Sequence, residues 1–281
     1  MSKFALFNEI RAGACRSDAS VSNRKALGME ADCRSIHILW MYPDVLNMHG
    51  GRGDVMALLH YSNLMKLPCT IRRINLLTEE IPFDWADMIF FPSGGLSCMT
   101  DVNLALSRYQ ADFQRFAESG KTVVAIGSSG ALLAENTVFM DGKVSPGLGL
   151  LQMDMTQREK VFGDDLWITT DDGLEVVSSE IQMSDVSLHE GQTAFGQVRY
   201  GRGNCGDGKE GARTGNVIFT HCLGPVLVRN PRFAEFLLQT CADRAEIPAE
   251  PLRSEDISLE MDALKDIKTF IEKKIRGEIH G

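Results

Sequence analysis

The chain has 281 residues, of which 44% are hydrophobic, and this length suits one large domain with extensions or two small domains. Its 29 basic and 38 acidic residues give a formal net charge of −9, which disfavours general binding to nucleic acid or to anionic membrane surfaces. Because the sequence lacks a run of about 18 apolar residues, we expect no membrane insertion. The seven cysteines form no CxxC pair and no cluster with His at metal-ligand spacing, so we expect reduced thiols in a cytoplasmic protein without a bound metal.

The composition divides the chain into three regions. Residues 1–35 are rich in Ser, Ala and Arg and lack periodicity, which predicts a flexible N-terminal tail. Residues 36–247 carry the regular elements of a domain. Residues 248–281 contain a Pro/Glu linker and an amphipathic helix, in which Leu264, Ile267 and Ile271 recur at helical spacing. We expect this helix to pack on the domain, and docking on a partner is the alternative.

The first half of the domain alternates between predicted strands and helices. The hydrophobic patterns predict strands at residues 36–41, 69–74, 88–91 and 122–126, and helices at 55–66 and 103–119. The continuous apolar run at 88–91 is typical of a parallel strand that is covered on both faces. This order of elements predicts an open α/β sheet.

The second half has a different character. From residue 147 to residue 200 the segments are shorter and indicate strands and hairpins, for example at 166–169 and 196–200. A Gly/Asp-rich stretch at 201–211 fits a hairpin loop better than a phosphate loop, because it lacks the GxxxxGK[ST] pattern. A strand at 216–219 and a helix at 231–245 complete the domain.

Three predicted strand ends carry residues suited to chemistry, which gathers at the carboxyl ends of strands in such sheets. The turn Ser93-Gly94-Gly95 offers backbone N–H groups to an anion or oxyanion. The small residues Gly127 and Ser128 lead from a strand into a helix, which is the local pattern of a nucleophile elbow. The third end runs from His221 to Pro225.

These segments resemble the class I glutamine amidotransferases of the cobyric-acid-synthase-like (CobB/CobQ) branch, and so do residues 42–47, 52–54, 147–151, 189–193, 200–204 and 210–231. Within that branch the likeness is greatest to the GatD-type subunits of lipid II isoglutaminyl synthase. The resemblance covers about residues 36–247 and implies a three-layer α/β/α, flavodoxin-like domain with a mostly parallel central sheet. It also implies glutamine hydrolysis by a Cys–His pair, no cofactor, and a heterodimer with a Mur-ligase-like (MurT-type) subunit that uses the ammonia in peptidoglycan precursor amidation.

The chain departs from this family at the catalytic positions. The elbow of the family reads Ala-Ile-Cys-Gly-Gly-Tyr-Gln, and its Cys falls on Gly127. The catalytic His falls on Leu223, and the substrate-loop Arg falls on Cys98. Because glycine has no side chain that attacks and leucine carries no proton, we expect a pseudoenzyme that acts by binding. The pocket that remains would hold glutamine or another small ligand through Ser93-Gly94-Gly95, Ser128 and His189.

A relocated hydrolase site is one alternative. Ser129 also has small neighbours, and His221 lies two residues before Leu223 on the same strand face. A Ser129–His221 pair, oriented by Asp185 or Glu190, would release ammonia from glutamine for a synthetase partner. Against this, small hydroxyls at 128 and 129 fit a tight corner and cap the next helix, and His221 fits a strand histidine with a backbone partner.

A different register is the second alternative. In that case the chain is an ordinary amidotransferase subunit, and Cys98 or Cys222 is the nucleophile. Cys222 follows His221 directly, so in a strand the two side chains point to opposite faces. Cys98 lies on the substrate loop rather than at the elbow. His189 likewise has a second interpretation, as a satisfied polar residue on a loop.

Overall fold

The structure, a computed structural model, describes residues 20–24, 26–28 and 34–279. Its strands are Ser20–Ser22 (β1), Ile36–Met41 (β2), Cys69–Ile74 (β3), Met88–Phe91 (β4), Thr122–Ile126 (β5), Asn136–Val138 (β6), Val144–Pro146 (β7), Met153–Thr170 (β8), Glu175–Leu188 (β9), Gly196–Tyr200 (β10), Lys209–Glu210 (β11), Ala212–Thr214 (β12) and Val217–Thr220 (β13). Its α-helices are Gly51–Leu64 (α1), Met99–Leu106 (α2), Gln110–Glu118 (α3), Gly130–Leu133 (α4), Val226–Arg229 (α5), Pro231–Ala245 (α6) and Ser258–Ile275 (α7).

The central sheet has seven strands in the order β1-β3-β2-β4-β5-β13-β12. The five inner strands are parallel, and the two outer strands β1 and β12 are antiparallel to their neighbours. The strands predicted at 36–41, 69–74, 88–91 and 122–126 have the predicted bounds, and so does the helix at 231–245. The helix predicted at 103–119 is two helices, α2 and α3, joined by the 3₁₀ turn Ser107–Tyr109.

Helices cover both faces of the central sheet. On one face α1 and α6 pack against each other, and Leu58, Tyr61 and Leu237 lie in a shared core. On the other face α2 and α3 contribute Val102 and Phe113 to a second core. The apolar runs of the inner strands are buried between these two helix layers, as parallel strands require. The predicted three-layer α/β/α architecture with a mostly parallel sheet is therefore confirmed.

A second sheet follows in the chain, and it differs from the expectation of short strands. It has the order β11-β10-β8-β6-β7, in which β10 and β6 pair with different stretches of β8. Strand β9 pairs with β8 over almost its whole length. The hairpin of β8 and β9 is long, with strands of 18 and 14 residues. A bulge between Gln157 and Phe162 shifts the register, and it contains the exposed polar residues Glu159 and Lys160. These polar residues interrupt the apolar alternation, which is why the sequence pattern indicated only the segment at 166–169.

The start of the described chain is part of the central sheet. Residues 1–19, 25 and 29–33 of the predicted tail lie outside the described residues, but β1 pairs with β3, so that Ser20 lies opposite Arg72. Asn23 is buried and donates to the Leu67 carbonyl at 2.9 Å, while its Oδ1 accepts the Cys69 N–H at 2.9 Å. Residues 20–22 therefore belong to the sheet and Asn23 is anchored beside it, a correction to the predicted tail that no apolar pattern in this polar segment could have indicated.

The C-terminal helix α7 packs on the hairpin. Its Leu264 and Ile271 form a small apolar cluster with Val177 of β9. Lys274 lies 2.8 Å from both Asp164 and Asp165, which adds two ion pairs to this contact. The helix thus covers the second sheet of its own chain, as expected. Among the described residues, no helix has the length and apolar character needed to cross a membrane.

Candidate functional site

A narrow pocket lies at the carboxyl ends of the parallel strands and has two sides. The elbow side consists of residues that follow β2, β4, β5 and β13, namely His49, Ser93, Gly94, Gly127, Ser128 and His221. The hairpin side consists of residues 181–184 of β9. The structure therefore brings most of the predicted site residues together, because parallel strands end at one edge of a sheet. Gly95, Ser129 and His189 do not line this pocket.

Gly127 has the backbone conformation of an elbow without a side chain to act. It follows β5 with a φ of +59°, in the left-handed region that side chains other than glycine rarely adopt. A Cβ at this position would lie 2.8 Å from Leu223 Cδ2 and 2.8 Å from Ser93 Oγ. The space that a nucleophilic side chain would need is therefore occupied by two neighbouring side chains.

Leu223 is held firmly against Gly127. It is 3% exposed, and its N–H donates to the Ser179 carbonyl of β9 at 2.8 Å. The reverse bond, from the Ser179 N–H to the Leu223 carbonyl, is longer at 3.4 Å. This isolated bridge joins the segment after β13 to the hairpin, so the apolar side chain of Leu223 fills the position next to the elbow.

The hydroxyl of Ser128 ties the elbow to the glycine turn. Its Oγ donates to the Gly94 carbonyl at 2.5 Å and accepts the Gly94 N–H at 3.1 Å, and Ser93 Oγ lies 3.3 Å away. One of the expected backbone donors of the turn, the Gly94 N–H, is therefore already in use within the protein. An oxyanion at this turn would have to displace the Ser128 hydroxyl.

Ser129 is fully buried and faces away from the pocket. Its Oγ donates to the Pro92 carbonyl at 2.5 Å, and it makes no side-chain cap on α4. Among the described residues, no hydrogen bond joins Ser129 to His221. The relocated Ser129–His221 pair is thus not assembled, because the hydroxyl has a backbone acceptor on the far side of the corner.

His221 is buried beside a carboxylate instead of a hydroxyl. Its main-chain N–H donates to Glu210 Oε1 at 2.6 Å, and its ring Nδ1 lies 3.4 Å from the same oxygen. Its Nε2 lies 3.5 Å from Gln182 Nε2, at the limit of hydrogen bonding. Glu210 is fully buried and also accepts from the Thr220 hydroxyl at 3.1 Å. The ring of His221 is therefore enclosed in a polar cluster that belongs to the second sheet.

Glu180 is a second buried carboxylate in this cluster. Burial raises the pKa of Glu180 to about 7, and the neighbouring Glu210 acts in the same direction. The N–H groups of Arg202 and Gly203, at 2.5 Å and 3.1 Å, oppose this rise. These bonds fix the loop at 201–211, where the sequence predicted a hairpin loop and the structure has one between β10 and β11.

The remaining predicted residues have partners elsewhere. Asp185 pairs with Arg158 at 2.7 Å and Arg202 at 2.9 Å; burial opposes the effect of these arginines, but together they hold the pKa of this carboxyl below its usual value. Glu190 is exposed. Neither residue orients His221. His189 Nε2 lies 3.0 Å from Asp154 Oδ2, so His189 is a satisfied polar residue at the end of β9.

The two candidate cysteines lack the surroundings of a nucleophile. Burial raises the pKa of Cys222, a fully buried thiol, and burial also raises the pKa of Cys98. Cys98 Sγ donates to the Gly95 carbonyl at 2.9 Å in a 3₁₀ turn. Neither thiol lines the pocket, and both favour the neutral form, which is not the attacking species.

The pocket itself is almost closed. About 10 Å³ is open to the centre of a water-sized molecule, which is at the lower limit for holding one water. Burial lowers the pKa of His49, which has a φ of +55° and lines the elbow side. The sequence analysis did not identify His49 or Gln182 as pocket residues. Only the approach of the long hairpin places Gln182 here, and nothing local in the sequence indicated it.

No metal site accompanies the pocket. Within residues 20–24, 26–28 and 34–279, no three side chains of His, Cys, Asp or Glu are grouped in a way that could hold an ion. The polar atoms around His221 are instead bonded to backbone groups of the loop at 201–211, including Gln182 Nε2 to the Gly203 and Asn204 carbonyls at 2.7 Å and 2.9 Å.

The fold is that of class I glutamine amidotransferases. Two solved structures share the fold at a TM-score of 0.50: a glutamine amidotransferase, 16% identical with 73% of this chain and 98% of that chain covered, and PurLQS from Thermotoga maritima, 13% identical with 76% and 98% covered. The model of the CobB/CobQ-like glutamine amidotransferase domain matches residues 37–230, more than half of the chain. The chain therefore belongs to the CobB/CobQ-like glutamine amidotransferase family.

One relative narrows the likeness within the family. The chain is 27% identical over 225 residues to the lipid II isoglutaminyl synthase (glutamine-hydrolyzing) subunit GatD of Staphylococcus aureus (strain N315), and 77% of this chain and 89% of that protein are covered. The resemblance to GatD-type subunits that the motifs indicated is thereby confirmed.

Proposed function

We propose that this protein is a GatD-like subunit without glutaminase activity, which acts by binding a Mur-ligase-like partner in the amidation of lipid II. The observation that carries this proposal is the contact between Gly127 and Leu223. At the elbow, where the family has a cysteine next to a histidine, this chain has a left-handed glycine against a leucine methyl group. Neither residue attacks a carbonyl or accepts a proton.

The closed pocket supports the same proposal. Glutamine is many times larger than the single water for which the pocket has room. Ser128 uses the Gly94 N–H that an oxyanion would need. A glutamine molecule would have to separate β9 from the elbow side and break the bridge between Leu223 and Ser179. The size of the pocket therefore argues against the small-ligand role that the sequence suggested for it.

The partner and location rest on likeness. The relative from Staphylococcus aureus is named as a subunit of a lipid II isoglutaminyl synthase, and the partner subunit of such an enzyme would be Mur-ligase-like. A subunit that has lost its chemistry still has the surface of its fold, because a binding face and a catalytic site are separate features. A cytoplasmic location is part of this proposal, and the five cysteines among the described residues are all unpaired thiols, which suits a reducing compartment.

The test is an amidation assay with two nitrogen sources. The full-length protein is purified from its own host with an affinity tag, and co-purifying proteins are identified by mass spectrometry. The isolated complex is then given lipid II, ATP and either ammonium chloride or glutamine. We expect a Mur-ligase-like companion and amidation with ammonium but not with glutamine.

Two outcomes would contradict the proposal. Amidation that depends on glutamine, with this chain as the only amidotransferase present, would show that it hydrolyses glutamine after all. Purification of the chain without any Mur-ligase-like protein would remove the proposed partner. The GatD subunit of Staphylococcus aureus, assayed with its own partner, serves as the positive control for glutamine use.

A further inference from the structure

A second cavity lies at the opposite end of the central sheet from the elbow. It has a volume of about 290 Å³ and is lined by Ser20, Arg24, His37, Thr70, Arg72 and Trp85. His37 and Thr70 are each the second residue of their strand, so the cavity lies near the amino ends of β2 and β3. The elbow follows the carboxyl end of β5, and the two sites are therefore on different edges of the sheet.

The lining is unusually basic for this acidic protein. Arg72 and Arg24 contribute two guanidinium groups, and His37 contributes an imidazole, whereas none of the six lining residues is acidic. Arg72 Nη2 lies 4.0 Å from Glu79 Oε1, which is beyond hydrogen-bond distance, and its Nε has no hydrogen-bond partner among the described residues. Arginine has five donors in a planar fork that matches the oxygens of a phosphate, and most of those of Arg72 are available.

The other polar groups form a chain of hydrogen bonds along one wall. Arg24 Nη2 donates to Ser35 Oγ at 2.6 Å, and Ser35 Oγ lies 3.1 Å from His37 Nε2. His37 Nδ1 lies 3.0 Å from the Trp85 carbonyl, which is an acceptor, so Nδ1 carries the proton and Nε2 accepts from the Ser35 hydroxyl. The imidazole also stacks on the Trp85 ring at 4.2 Å, which fixes its orientation.

We propose that this cavity is a binding site for a phosphate group, carried as inorganic phosphate or on a small phosphomonoester. The guanidinium of Arg72 would bind two phosphate oxygens and the Ser20 hydroxyl a third, and Arg24, held by its bond to Ser35, would add positive charge to the wall. A site of about 300 Å³ is at the lower end of the usual range for small-molecule ligands, so it has room for a phosphate and a short substituent. None of the six lining residues belongs to the closed pocket beside Gly127.

Binding at this site is expected to depend on pH through His37. Burial lowers the pKa of His37, Asp87 raises it, and Arg24 and Lys121 lower it. Asp87 accepts the His37 main-chain N–H at 2.9 Å, and Glu79 is the nearest carboxylate to Arg72. A phosphate dianion in the cavity would add negative charge beside the ring and raise the pKa of His37. By linkage, phosphate then binds more tightly when His37 is protonated, as long as the phosphate keeps its charge.

The first test is calorimetric titration of the full-length protein with inorganic phosphate at constant ionic strength. Arg72→Gln removes the guanidinium and keeps the length of the side chain. Arg73→Gln is the matched control, because Arg73 is the next residue of β3, on the opposite face, where it lies over Trp40 and 3.6 Å from Asp44. We expect saturable binding that is at least about tenfold weaker in the Arg72 variant and unchanged in the control.

The second test follows the imidazole resonances of His37 during a pH titration by NMR, with and without phosphate. We expect phosphate to raise the pKa of His37 in the wild type and in the Arg73 variant, and the Arg72 variant to need at least about tenfold more phosphate for the same change. The proposal is overturned if phosphate gives no saturable heat, if both arginine variants bind like the wild type, or if the His37 pKa does not respond. Glycerol phosphate in place of inorganic phosphate shows which carrier binds more tightly.

Discussion

The two sides of the closed pocket differ in how they are held. The elbow side is built from backbone geometry: a left-handed Gly127 after β5, a glycine turn after β4, and a serine hydroxyl that joins them. The hairpin side is held by buried polar side chains. Gln182 and, two residues before it in β9, Glu180 are bonded to backbone groups of the loop at 201–211. One side keeps the shape of a catalytic site without its reactive groups, and the other has many polar groups that serve structure.

This difference shows that the backbone geometry of an amidotransferase elbow can be present without the reactive side chains. A left-handed backbone conformation is strained for a nucleophile with a side chain, and such strain is expected at a catalytic elbow. The same conformation is present here at Gly127, and glycine adopts it at little cost. The polar cluster around His221 would be the first candidate for a catalytic centre on burial alone. Its Glu180 and Gln182, however, bond backbone groups of the loop at 201–211, and the pocket beside His221 is almost closed, so buried polar groups identify a site only when a substrate can reach them.

The largest expected effect lies on the hairpin side. Asn204 is fully buried and bonds both backbone groups of Gly211, from Nδ2 to the carbonyl at 2.9 Å and from the N–H to Oδ1 at 2.7 Å. Asn204→Ala leaves both groups unsatisfied, and we expect the free energy of unfolding to fall by about 2–4 kcal/mol. The measurement is urea denaturation with an unchanged m-value. Asn216→Ala removes a single bond to the Gly120 carbonyl and should cost about 1 kcal/mol. Equal losses in the two variants would contradict the structural role of the loop.

The elbow side is tested by two alanine substitutions at left-handed glycines. Gly127→Ala places a Cβ 2.8 Å from Leu223 Cδ2 and Ser93 Oγ, whereas Gly215→Ala, at a nearly equal φ of +57°, meets nothing within 4 Å. We expect a loss of about 1 kcal/mol at Gly215 from backbone strain, and about 2–3 kcal/mol at Gly127, where crowding is added. Chemical denaturation of both variants measures the difference, and equal losses would mean that Leu223 does not fill the elbow.

Two buried carboxyls near the pocket, Asp54 of α1 and Glu180 of β9, give the stability a pH dependence that can be divided between them. Burial raises the pKa of Asp54 to about 7, and its Oδ1 accepts the Leu227 N–H at 2.7 Å. Between pH 4 and pH 7 the folded state retains a proton that the unfolded state has lost, so this carboxyl makes the protein less stable as pH rises through that window. Asp54→Asn keeps the acceptor and should reduce the loss of stability between pH 5 and pH 8 by about 2 kcal/mol.

Glu180 has the same sign and the same window, because burial raises its pKa to about 7 as well. The Asp54→Asn variant should therefore still lose free energy of unfolding as pH rises, and this loss should be smaller in the double variant with Glu180→Gln. Urea denaturation at closely spaced pH values measures both slopes. Parallel stability profiles for Asp54→Asn and the wild type would show that Asp54 titrates normally.

The smallest effect is expected at His189, which the sequence placed in the pocket and the structure places outside it. Its hydrogen bond with Asp154 is about one-third exposed, with a distance of 3.0 Å. His189→Ala should change the free energy of unfolding by less than about 1 kcal/mol, because exposed polar pairs contribute little. The same denaturation measurement applies. A large loss of stability in this variant would contradict the exposed position of His189 outside the pocket.

The sequence predicted the elements that depend on local pattern. The inner strands β2, β4 and β5 have apolar runs and β3 alternates, and the bounds of all four agree with the predictions. The elbow and the glycine turn were also predicted, since small residues after a buried strand permit the tight corner that larger side chains would block. The pairing of β1 and the closure by β9 were not predicted, because both depend on contacts between residues far apart in the chain. Ser129 was wrongly placed for a related reason: two residues along a tight corner reverse the direction of a side chain.

The most direct test of the central claim is intact-mass analysis after incubation with an electrophilic glutamine analogue, combined with an assay for ammonia released from glutamine. The GatD subunit of Staphylococcus aureus is the positive control. We expect no covalent adduct and no ammonia from this protein, because Gly127 and Leu223 carry no reactive group and the pocket admits no glutamine. An adduct on Cys98 or Cys222 together with ammonia release would contradict the account and would restore the activity of the family to this chain.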